Sequence, residues 1–436
     1  MKTVILAAGE GQRLRPLTYT RPKHMIPIGG KPILEYLINA LKTTEIDEIL
    51  IVVNYKAEVI KSYFGEGSSH GVKIRYIPQD NMLGTAAAIL SAEKYVDEHF
   101  LVVNGDLLIS PDVIKSTVNA FMEDSVAAVL AAVRVEKTEH FGVLKVECGK
   151  LVDIVEKPML DVASNLVNAG IYVFTSDVFD YIRRTKPSAR GELEITESLR
   201  LMVGEGAKVL VVEVPQEKWL DIGRPWDLLE ANTRVLSSIK PSILGKVEEG
   251  AHIKGPVYVG RNALIRSGAY IEGPVYIGDE SDIGPNCYIR PYTSIGRNVR
   301  VGSSCEIKNS ILMDSVHVEH LSYVGDSIIG EGCNLGAGFI SANLRFDRKT
   351  VKMRIKGEIV DTGRIKMGVV MGDNVSTGTG ALFMPGVSVG CNSWIGPNIV
   401  VYEDVPPNTF LVLEQKVKRK SIEGLKGNKC RSEKIN

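Results

Sequence analysis

Residues 253–307 read IKGPVYVGRNALIRSGAYIEGPVYIGDESDIGPNCYIRPYTSIGRNVRVGSSCEI. A β-branched residue returns at every sixth position of this stretch: Ile253, Val259, Ile265, Ile271, Ile277, Ile283, Ile289, Ile295, Val301 and Ile307. Neither an α-helix nor a flat sheet repeats every six residues, whereas a hexapeptide β-helix does. Each hexapeptide would form one face of a triangular prism, with the aliphatic side chain inside and a small residue at the corner. The sequence therefore predicts a left-handed parallel β-helix over residues 251–410.

The six-residue register is interrupted in one part of this region. It breaks after Ile307, partly resumes at Val318 and Val324, and fails through residues 343–367. It then returns at Met371, Thr377, Phe383, Val389, Ile395 and Val401. The interruption, NLRFDRKTVKMRIKGEIVDTGRIKM, is rich in Arg and Lys. We predict that it is a loop ejected from the prism, and such loops commonly carry function on regular scaffolds.

The first 225 residues alternate apolar strands with amphipathic helices. The predicted strands are 3–8, 48–54, 73–77, 100–104 and 127–133, and the predicted helices include 32–41, 57–64 and 86–95. This alternation predicts a three-layer, Rossmann-like α/β domain with a mostly parallel sheet. We interpret residues 226–250 as a connecting helix and linker. Residues 411–436 form a basic tail, either a solvated end or an arm that contacts phosphate across a subunit interface.

Composition excludes several classes of partner. The 436 residues include 52 Lys and Arg against 52 Asp and Glu, so no net charge favours nucleic acid or a membrane. The six cysteines form no C-x-x-C pair, and we interpret them as reduced, buried thiols. The sequence shows neither a signal peptide nor an apolar run approaching the roughly 20 residues of a membrane span. We therefore expect a cytoplasmic protein.

A glycine loop, Gly9-Glu10-Gly11, directly follows the first predicted strand. Such a turn presents backbone N–H groups to an anion, and glycine lets the chain approach a phosphate closely. Basic residues follow it and could neutralise a triphosphate: Arg13, Arg15, Arg21 and Lys23. The loop is neither a Walker P-loop nor a dinucleotide fingerprint, because G-x-x-x-x-G-K-[ST] is absent and G-x-G-x-x-G lacks its third glycine.

The wider pattern, LAAGEGQRLRPLT followed by RPKHMIPIGGKP, resembles the signature of sugar-1-phosphate nucleotidylyltransferases across the whole first domain. The matching segments continue with Gly84-Thr85-Ala86-Ala87, Asn104-Gly105-Asp106, Phe141-Gly142, Glu156-Lys157-Pro158, Asn168-Ala169-Gly170 and Trp219-Leu220-Asp221-Ile222-Gly223. The resemblance implies that the nucleotide is bound by Leu6, Ala7, Ala8, Gly9, Gln79, Gly84, Thr85, Asn104 and Gly105. It further implies that Arg13 and Lys23 are catalytic residues on the phosphates, and that the sugar phosphate is held by Gly142, Glu156, Lys157 and Asn168.

The chemistry of that family suits these residue types. A sugar-1-phosphate oxygen attacks the α-phosphorus of a nucleoside triphosphate, UTP or dTTP, and displaces pyrophosphate in line. The nucleophile is already anionic, so catalysis consists of positioning and charge neutralisation. Asp106 and Asp221 would chelate a Mg²⁺ ion that bridges the phosphoryl groups.

A second resemblance covers residues 250–405. The segments Glu319-His320-Leu321-Ser322-Tyr323, Asn334-Leu335-Gly336-Ala337-Gly338 and Ser341-Ala342-Asn343 resemble the acetyltransferase domain of the bifunctional glucosamine-1-phosphate acetyltransferase/uridylyltransferases. The match implies that His320 is the general base, and that the sugar phosphate is bound by Arg290, Lys308, Tyr323, Asn334 and Lys349. Ala337 and Thr379 would contact acetyl-CoA.

Acetyl transfer needs a base that takes a proton from an ammonium group, and an imidazole suits this task near neutral pH. It also needs a donor for the tetrahedral oxyanion, for which Asn343, or a backbone N–H beside it, is our candidate. In the resembled family the acetyl-CoA site lies between subunits, so we expect a homotrimer or a multiple of it.

The combination of both halves resembles archaeal bifunctional sugar-1-phosphate nucleotidylyltransferase/acetyltransferases. The insertion at residues 343–367 is longer than the equivalent loop of the bacterial enzymes. Two alternatives stay open from the sequence. One is a monofunctional glucose-1-phosphate or mannose-1-phosphate nucleotidylyltransferase with a structural β-helix. The other is a non-catalytic scaffold similar to subunits of the eukaryotic translation-initiation exchange factor.

Overall fold

The computed structural model describes residues 1–79, 84–158, 164–188, 191–419 and 421–422, which form an α/β domain followed by a β-helix. The strands of the first domain are β1 (Lys2–Ala7), β2 (Pro27–Ile28), β3 (Lys31–Pro32), β4 (Glu48–Val53), β5 (Lys73–Pro78), β6 (His99–Asn104), β7 (Leu107–Ile109), β8 (Ala128–Arg134), β9 (Gly142–Glu147), β10 (Lys150–Glu156), β11 (Leu166–Thr175), β12 (Val209–Glu213) and β13 (Trp219–Asp221). Its α-helices are α1 (Ile33–Lys42), α2 (Ala57–Phe64), α3 (Thr85–Leu90), α4 (Pro111–Glu123), α5 (Val178–Arg184), α6 (Ile195–Gly204) and α7 (Pro225–Ser237). Short 3-10 helices span Gln12–Leu14, Leu17–Tyr19, Lys23–Met25, Ser68–His70, Glu93–Tyr95 and Gln216–Lys218.

A central sheet crosses the first domain in the order β5-β4-β1-β6-β11-β8-β12-β10-β9. One face packs against α1, α2 and α4, and the other against α3, α5 and α6, which confirms the three-layer α/β domain. The sheet is parallel from β5 to β6, but β11 runs antiparallel to both of its neighbours. Two residues, Cys148 and Gly149, connect β9 to β10 with positive φ angles of 49° and 74°. So short a turn forces an antiparallel pair, so this part of the sheet departs from the predicted parallel order.

The predicted parallel β-helix is confirmed as three stacks of short strands. Its first face consists of Ser242–Ile243, Val257–Val259, Val275–Ile277, Thr293–Ile295, Ile311–Leu312, Ile328–Ile329, Val370–Met371 and Ser388–Val389. The second face consists of Lys246–Val247, Leu264–Ile265, Asp282–Ile283, Arg300–Ser303, His317–His320, Asn334–Leu335, Ser376–Thr377, Trp394–Ile395 and Phe410–Leu411. The third face consists of His252–Lys254, Tyr270–Glu272, Tyr288–Ile289, Glu306–Lys308, Tyr323–Gly325, Ile340–Ser341, Leu382–Phe383 and Val400–Val401.

The interrupted register has a simple structural cause. Most coils take three hexapeptides, so that Ile277 lies beside Ile295. Two consecutive coils on the first face are one residue shorter, and Ile295 therefore pairs with Leu312, which pairs with Ile329. Leu312 and Ile329 are both buried in the prism core. The core is thus continuous where the sequence period breaks, because a residue lost from a corner leaves the inward positions aligned.

Residues 343–367 leave the prism, as predicted, between the strands Ile340–Ser341 and Val370–Met371. They contain an antiparallel hairpin, Lys352–Ile355 with Glu358–Asp361. The hairpin is not a solvated loop, because Val351, Met353 and Ile355 are buried. They belong to an apolar group that we call the interdomain cluster. Its members are Leu14, Leu17, Ile26, Ile28, Ile33, Ile222, Trp226, Leu228, Leu229, Ala231, Ile311, Met313, Ile328, Val351, Met353, Ile355, Met367 and Val370.

The interdomain cluster joins α7, the segment after β1 and the first face of the β-helix. Polar contacts cross the same boundary. The Asn232 side chain of α7 accepts the Gly29 N–H at 2.8 Å and donates to the Tyr292 carbonyl at 2.9 Å. Thr20 and Arg21 both bind the Asp373 carboxylate, at 2.6 and 2.5 Å. The two domains therefore share one packed interface.

The β-helix begins at Ser242, inside the segment predicted to be helix and linker.

The cysteines and the chain ends complete the description. Cys287, Cys305, Cys333 and Cys391 are buried free thiols, but Cys148 is exposed because it lies in the β9–β10 turn. Cys430 and most of the basic tail lie outside the described residues. Within the parts of the chain that the structure describes, helices are too short or too polar to cross a bilayer.

Candidate active sites

A cavity of about 560 Å³ opens at the carboxyl ends of β1 and β6 in the first domain. Ligands of open α/β sheets bind at this edge, where side chains from several strands converge. The residues predicted for the nucleotidylyltransferase site meet there, with two exceptions. Its wall includes Leu6, Ala8, Gly9, Arg13, Lys23, Gln79, Gly84, Thr85, Asn104, Asp106, Gly142, Glu156, Lys157, Asn168 and Asp221.

The exceptions are Ala7 and Gly105. Side chains alternate along β1, so Ala7 points with Ile5 into the apolar cluster on the opposite face of the sheet. The Gly105 N–H donates to the Leu6 carbonyl at 3.0 Å, which ties Gly105 behind the cavity wall. Neither residue lines the cavity, so their predicted contact with the nucleotide does not follow from this geometry.

One end of the cavity is formed by the start of α3. Gly84 has a φ of 107°, and a Cβ atom there would lie 2.5 Å from the Leu193 carbonyl oxygen. Only glycine fits this close approach without strain. The Ala86 N–H donates to the same carbonyl at 2.9 Å, and the Thr85 hydroxyl accepts the Ile195 N–H at 3.0 Å. These bonds fix the start of α3 against the start of α6 in the cavity wall.

The predicted sugar-phosphate residues lie at the start of β9 (Gly142), at and just after the end of β10 (Glu156 and Lys157) and on β11 (Asn168). Asn168 donates to the Tyr172 hydroxyl at 2.6 Å and accepts the Gly170 N–H at 3.0 Å, so its amide is held in one orientation. The Glu156 carboxylate lies 3.2 Å from the Lys157 ammonium. A carboxylate and an oriented amide are suitable partners for sugar hydroxyls, and the adjacent cation is suitable for a phosphate.

Two carboxylates lie at the opposite end. Asp221 ends β13, which pairs with β7 so that Asp221 lies opposite Leu107, next to Asp106. Burial raises the pKa of Asp221 to about 7, and the charge of Asp106 adds to this rise. Although burial opposes its ionisation, Lys23 holds the pKa of Asp106 below its ordinary value through an ion pair. Arg13 lies beside Gly223 and Asp221.

This pair fits the magnesium ion that the family implies. Mg²⁺ is commonly held by one or two carboxylates together with substrate phosphates, rather than by a full protein cage. Among the described residues no group of three or more His, Cys, Asp and Glu side chains forms a cage. Asp106 is buried and Asp221 is half-buried, and burial raises the pKa of Asp221 even though the charges of Lys23 and Arg13 oppose the rise. A divalent cation at this pair would favour the ionised form of Asp221.

Sequence reasoning missed several residues of the cavity wall. They include His24, His140, Tyr172, Glu192, Glu194, Trp219 and Lys356. His140 directly precedes the recognised Phe141-Gly142, so its position in the sequence could have suggested it. Lys356 lies in the β-helix insertion and carried no such signal. Conversely, Arg15 pairs with Glu10 at 3.4 Å and Arg21 binds the β-helix, so neither of these basic residues lines the cavity.

In the β-helix, a polar cluster on the third face connects four predicted residues. Tyr323 accepts a hydrogen bond from the Asn343 amide at 3.1 Å, and its ring passes over Gly325, where a Cβ atom would lie 2.4 Å from the hydroxyl. Lys308 binds Asp326 at 3.0 Å, and Arg290 binds Glu306 at 2.7 Å. We call this group the third-face cluster: Arg290, Glu306, Lys308, Tyr323, Asp326 and Asn343.

Asn343, our candidate oxyanion donor, has both amide hydrogens engaged. They donate to Tyr323 and, at 2.5 Å, to Asp326. A role at the oxyanion would require one of these bonds to break, so the geometry favours Asn343 as a residue that orients Tyr323. Lys349 lies on the exposed insertion, where its N–H binds Asp347 at 3.2 Å. Among the described residues it makes no ion pair with the third-face cluster.

The corner between the second and third faces carries the other predicted residues. His320 is exposed at this corner, and its Nε2 atom lies 3.9 Å from the Glu319 carboxylate. Its carbonyl accepts the Gly338 N–H, and the Ala337 carbonyl accepts the Gly380 N–H at 2.8 Å. His320, Ala337 and Thr379 therefore lie on successive coils of one edge. Asn334 lies on the second face beside His317, away from Tyr323.

Comparison with known proteins covers both domains. Residues 2–238 match the nucleotidyl transferase family, and residues 271–383 match the GMPPB C-terminal domain. The bifunctional protein GlmU of Methanocaldococcus jannaschii is 45% identical over 412 residues, which covers 94% of this chain and 97% of that protein. The bifunctional sugar-1-phosphate nucleotidylyltransferase/acetyltransferase of Sulfurisphaera tokodaii is 43% identical, covering 94% of this chain and 99% of that protein. A solved UDP-glucose pyrophosphorylase complexed with UDP-glucose is 27% identical over 54% of this chain and 98% of its own, with a TM-score of 0.49.

The similarity to the archaeal relatives covers 94% of this chain and therefore spans both domains. The chain therefore belongs to the family of bifunctional, GlmU-type sugar-1-phosphate nucleotidylyltransferase/acetyltransferases.

Proposed function

We propose that the chain catalyses two consecutive reactions of UDP-N-acetylglucosamine synthesis. The β-helix acetylates the amine of glucosamine-1-phosphate with acetyl-CoA. The α/β domain then couples N-acetylglucosamine-1-phosphate to UTP and releases pyrophosphate. The observation that carries this proposal is the convergence of Arg13, Lys23, Asp106 and Asp221 with the sugar-binding side chains around one cavity. A non-catalytic scaffold would have no reason to retain this set.

In the first site, each end of the cavity has a separate task. The part of the wall at the start of α3, Gly84 and Thr85, would hold the base. Glu156 and Asn168 would hold the sugar hydroxyls. Asp106 and Asp221 would hold Mg²⁺, which when bound supplies positive charge to the phosphoryl groups. Arg13 neutralises charge on the transferred phosphate, and Lys23, released from Asp106, does the same. The sugar phosphate needs no general base, because it is already an anion.

In the second site, the third-face cluster would bind the phosphate and ring of glucosamine-1-phosphate through Arg290, Lys308 and Tyr323. His320 takes a proton from the substrate ammonium, and the free amine attacks the thioester carbon of acetyl-CoA. Collapse of the tetrahedral intermediate breaks the C–S bond and releases CoA. The exposed edge at Ala337 and Thr379 supplies a groove for the acetyl donor.

Two variants should separate the reactions. Asp106→Asn should reduce pyrophosphate release by about 10²-fold or more, because it removes a carboxylate from the phosphate end, while CoA release stays unchanged. His320→Asn should reduce CoA release, because it removes the general base, while pyrophosphate release stays unchanged. His317→Ala is a matched control, since His317 also lies beside Glu319, at 3.2 Å, on the same strand. Both products should be measured with UTP and dTTP, with and without acetyl-CoA. A His320→Asn enzyme with full CoA release would refute the acetyltransferase assignment.

We also propose that the chain works as a homotrimer or a multiple of trimers. The first face of the prism is covered by the α/β domain, whereas the other two faces expose Ile340, Trp394 (60% exposed), Val400 and Phe410 (62% exposed). Within one chain, Asn334 and Lys349 are separated from the third-face cluster, so a neighbouring chain is needed to bring the predicted residues together. Light scattering should give a trimer or its multiple. A monomer at micromolar concentration would contradict this.

A further inference from the structure

The hairpin of the β-helix insertion reaches the cavity of the other domain. Its strands are Lys352–Ile355 and Glu358–Asp361, and the two residues between them are Lys356 and Gly357. Lys356 lines the nucleotidylyltransferase cavity together with Arg13, Asp221 and Gly223. A residue of the β-helix half is thus part of the wall of the first site.

The hairpin is held firmly in this position. Met353 and Ile355 are buried in the interdomain cluster, which also contains Leu14 and Ile222, the immediate neighbours of Arg13 and Asp221. Within the hairpin, Arg354 donates to the Gly357 carbonyl at 3.0 Å, and Thr350 donates to the Asp361 carboxylate at 2.7 Å. The tip is therefore anchored by its own strands and by the apolar contact beneath them.

The residue type at the tip is not the one that the turn prefers. Lys356 and Gly357 have φ values of 52° and 88°, so both central residues of this two-residue turn are left-handed. Such turns favour Asn-Gly or Gly-Gly, because a longer side chain is strained at positive φ. Lysine at the first position is therefore not explained by the turn, and Lys356, although largely exposed to solvent, is one of the residues that line the cavity.

The charges of the wall show what this ammonium can bind. Lys23 is paired with Asp106, and Lys157 with Glu156. Of the Lys and Arg residues that line the cavity in the described parts of the chain, Arg13 and Lys356 have no carboxylate within salt-bridge distance. Both are therefore available to an anionic ligand. A nucleoside triphosphate and a sugar phosphate bring several negative charges to a wall already rich in carboxylates.

We propose that Lys356 binds a phosphoryl oxygen of a substrate in the nucleotidylyltransferase site, so that the insertion of the β-helix completes the site of the other domain. The inference rests on the proposed function of that cavity. The ligand group is a phosphate ester or anhydride, and either the triphosphate or the sugar-1-phosphate supplies it.

The test uses the full-length enzyme with Lys356→Asn, which removes the charge but suits the left-handed turn. We expect the KM for one phosphate-bearing substrate to rise about tenfold or more, while the rate of CoA release stays unchanged. The KM is measured for UTP and for N-acetylglucosamine-1-phosphate in the forward reaction, and for pyrophosphate in the reverse reaction. The substrate whose KM rises is the one that Lys356 binds. Lys356→Arg should recover part of the loss. Lys352→Gln is the matched control, because Lys352 is exposed on the same hairpin and does not line the cavity.

A second readout does not depend on turnover. Calorimetric titration of wild type and Lys356→Asn with inorganic pyrophosphate, and separately with N-acetylglucosamine-1-phosphate, measures binding directly. Weaker binding by the variant supports the role of Lys356 even if wild type releases no pyrophosphate, an outcome that would refute only the proposed function. Unchanged binding and unchanged KM values, within twofold, would overturn the inference. If Lys356→Asn unfolds, Lys356→Gly, which also fits the turn, replaces it.

Discussion

Asp106 and Asp221 are neighbouring carboxylates whose joint ionisation is opposed by burial and by their mutual repulsion. Asp106 is buried and Asp221 is half-buried in the cavity wall, and the pKa values of the two groups are moved in opposite directions. Asp106 ionises readily because Lys23 compensates its charge. Asp221 lies next to that charge and keeps its proton up to about pH 7. The arrangement stabilises the fold less than an apolar pair would, and a bound cation would offset the unfavourable charge.

A pH-dependent stability follows from Asp221. The carboxyl of an unfolded Asp ionises near pH 4, whereas in the metal-free folded protein Asp221 binds a proton up to about pH 7. Its contribution to stability is therefore complete below about pH 4 and is lost as the pH rises through 7. Asp221→Asn should remove this loss, so its free energy of unfolding at pH 8 should exceed that of wild type.

Denaturant titrations at pH 5 and pH 8, in the presence of a chelator, measure this effect. The same variant should lose pyrophosphate release by about 10²-fold or more and keep CoA release. Added Mg²⁺ should stabilise wild type more at pH 8 than at pH 6, because protons and the ion compete for the carboxylate. Equal pH slopes for the two proteins would show that Asp221 titrates normally.

At the scale of an element, the short strands on the second face of the β-helix alternate between the core and the solvent. Asp282 and Ile283 are one such strand: Ile283 is fully buried in the prism, and Asp282 points outward to Arg266. The hexapeptide period predicted this alternation directly. The two shortened coils hid it, since Leu312 and Ile329 fall outside the period although they fill the same inward positions.

The difference between the two positions is measurable. Ile283→Ala should lower the free energy of unfolding by about 2–5 kcal/mol, because it leaves a cavity between coils. Asp282→Ala removes an exposed ion pair, with N–O distances of 2.6 Å to Arg266, and should cost less than about 1 kcal/mol. Chemical denaturation of both variants gives the comparison. Similar losses would contradict the inward assignment of Ile283.

For the whole molecule, the contact between the domains is the central feature. The segment that begins at Leu14, directly after Arg13, contributes to one apolar cluster together with α7 and the insertion, and Arg21 adds an ion pair across the boundary. The loop that carries Arg13 is thus supported by the β-helix. The two halves form one packed unit, in which the second domain shapes the first site.

Removal of Arg21 tests this support. Arg21→Ala leaves the buried Asp373 carboxylate with Thr20 and the Glu331 N–H as its neighbours, and should lower the free energy of unfolding by about 3 kcal/mol. Lys61→Ala breaks an exposed pair with Glu58 at 2.7 Å and should change stability by less than about 0.5 kcal/mol. Calorimetric melting of both variants supplies the measurement. An Arg21→Ala protein as stable as the Lys61→Ala control would rule out the interdomain role.

Much of this protein follows from its sequence alone. The six-residue period specifies the β-helix because inward side chains must recur with the geometry of the prism. The alternating strands and helices specify the α/β domain, and its motifs specify most of the cavity wall. These features depend on local spacing, which a sequence displays directly.

Only the tertiary structure determined the direction of individual side chains and the contacts between distant segments. Ala7 points away from the cavity because strand residues alternate, Arg21 turns to Asp373, and Asn343 is engaged by Tyr323 and Asp326. Lys356 enters the first site from the far half of the chain, because an apolar hairpin packs on the domain boundary. Such placements depend on packing between segments hundreds of residues apart, for which the local pattern carries no signal.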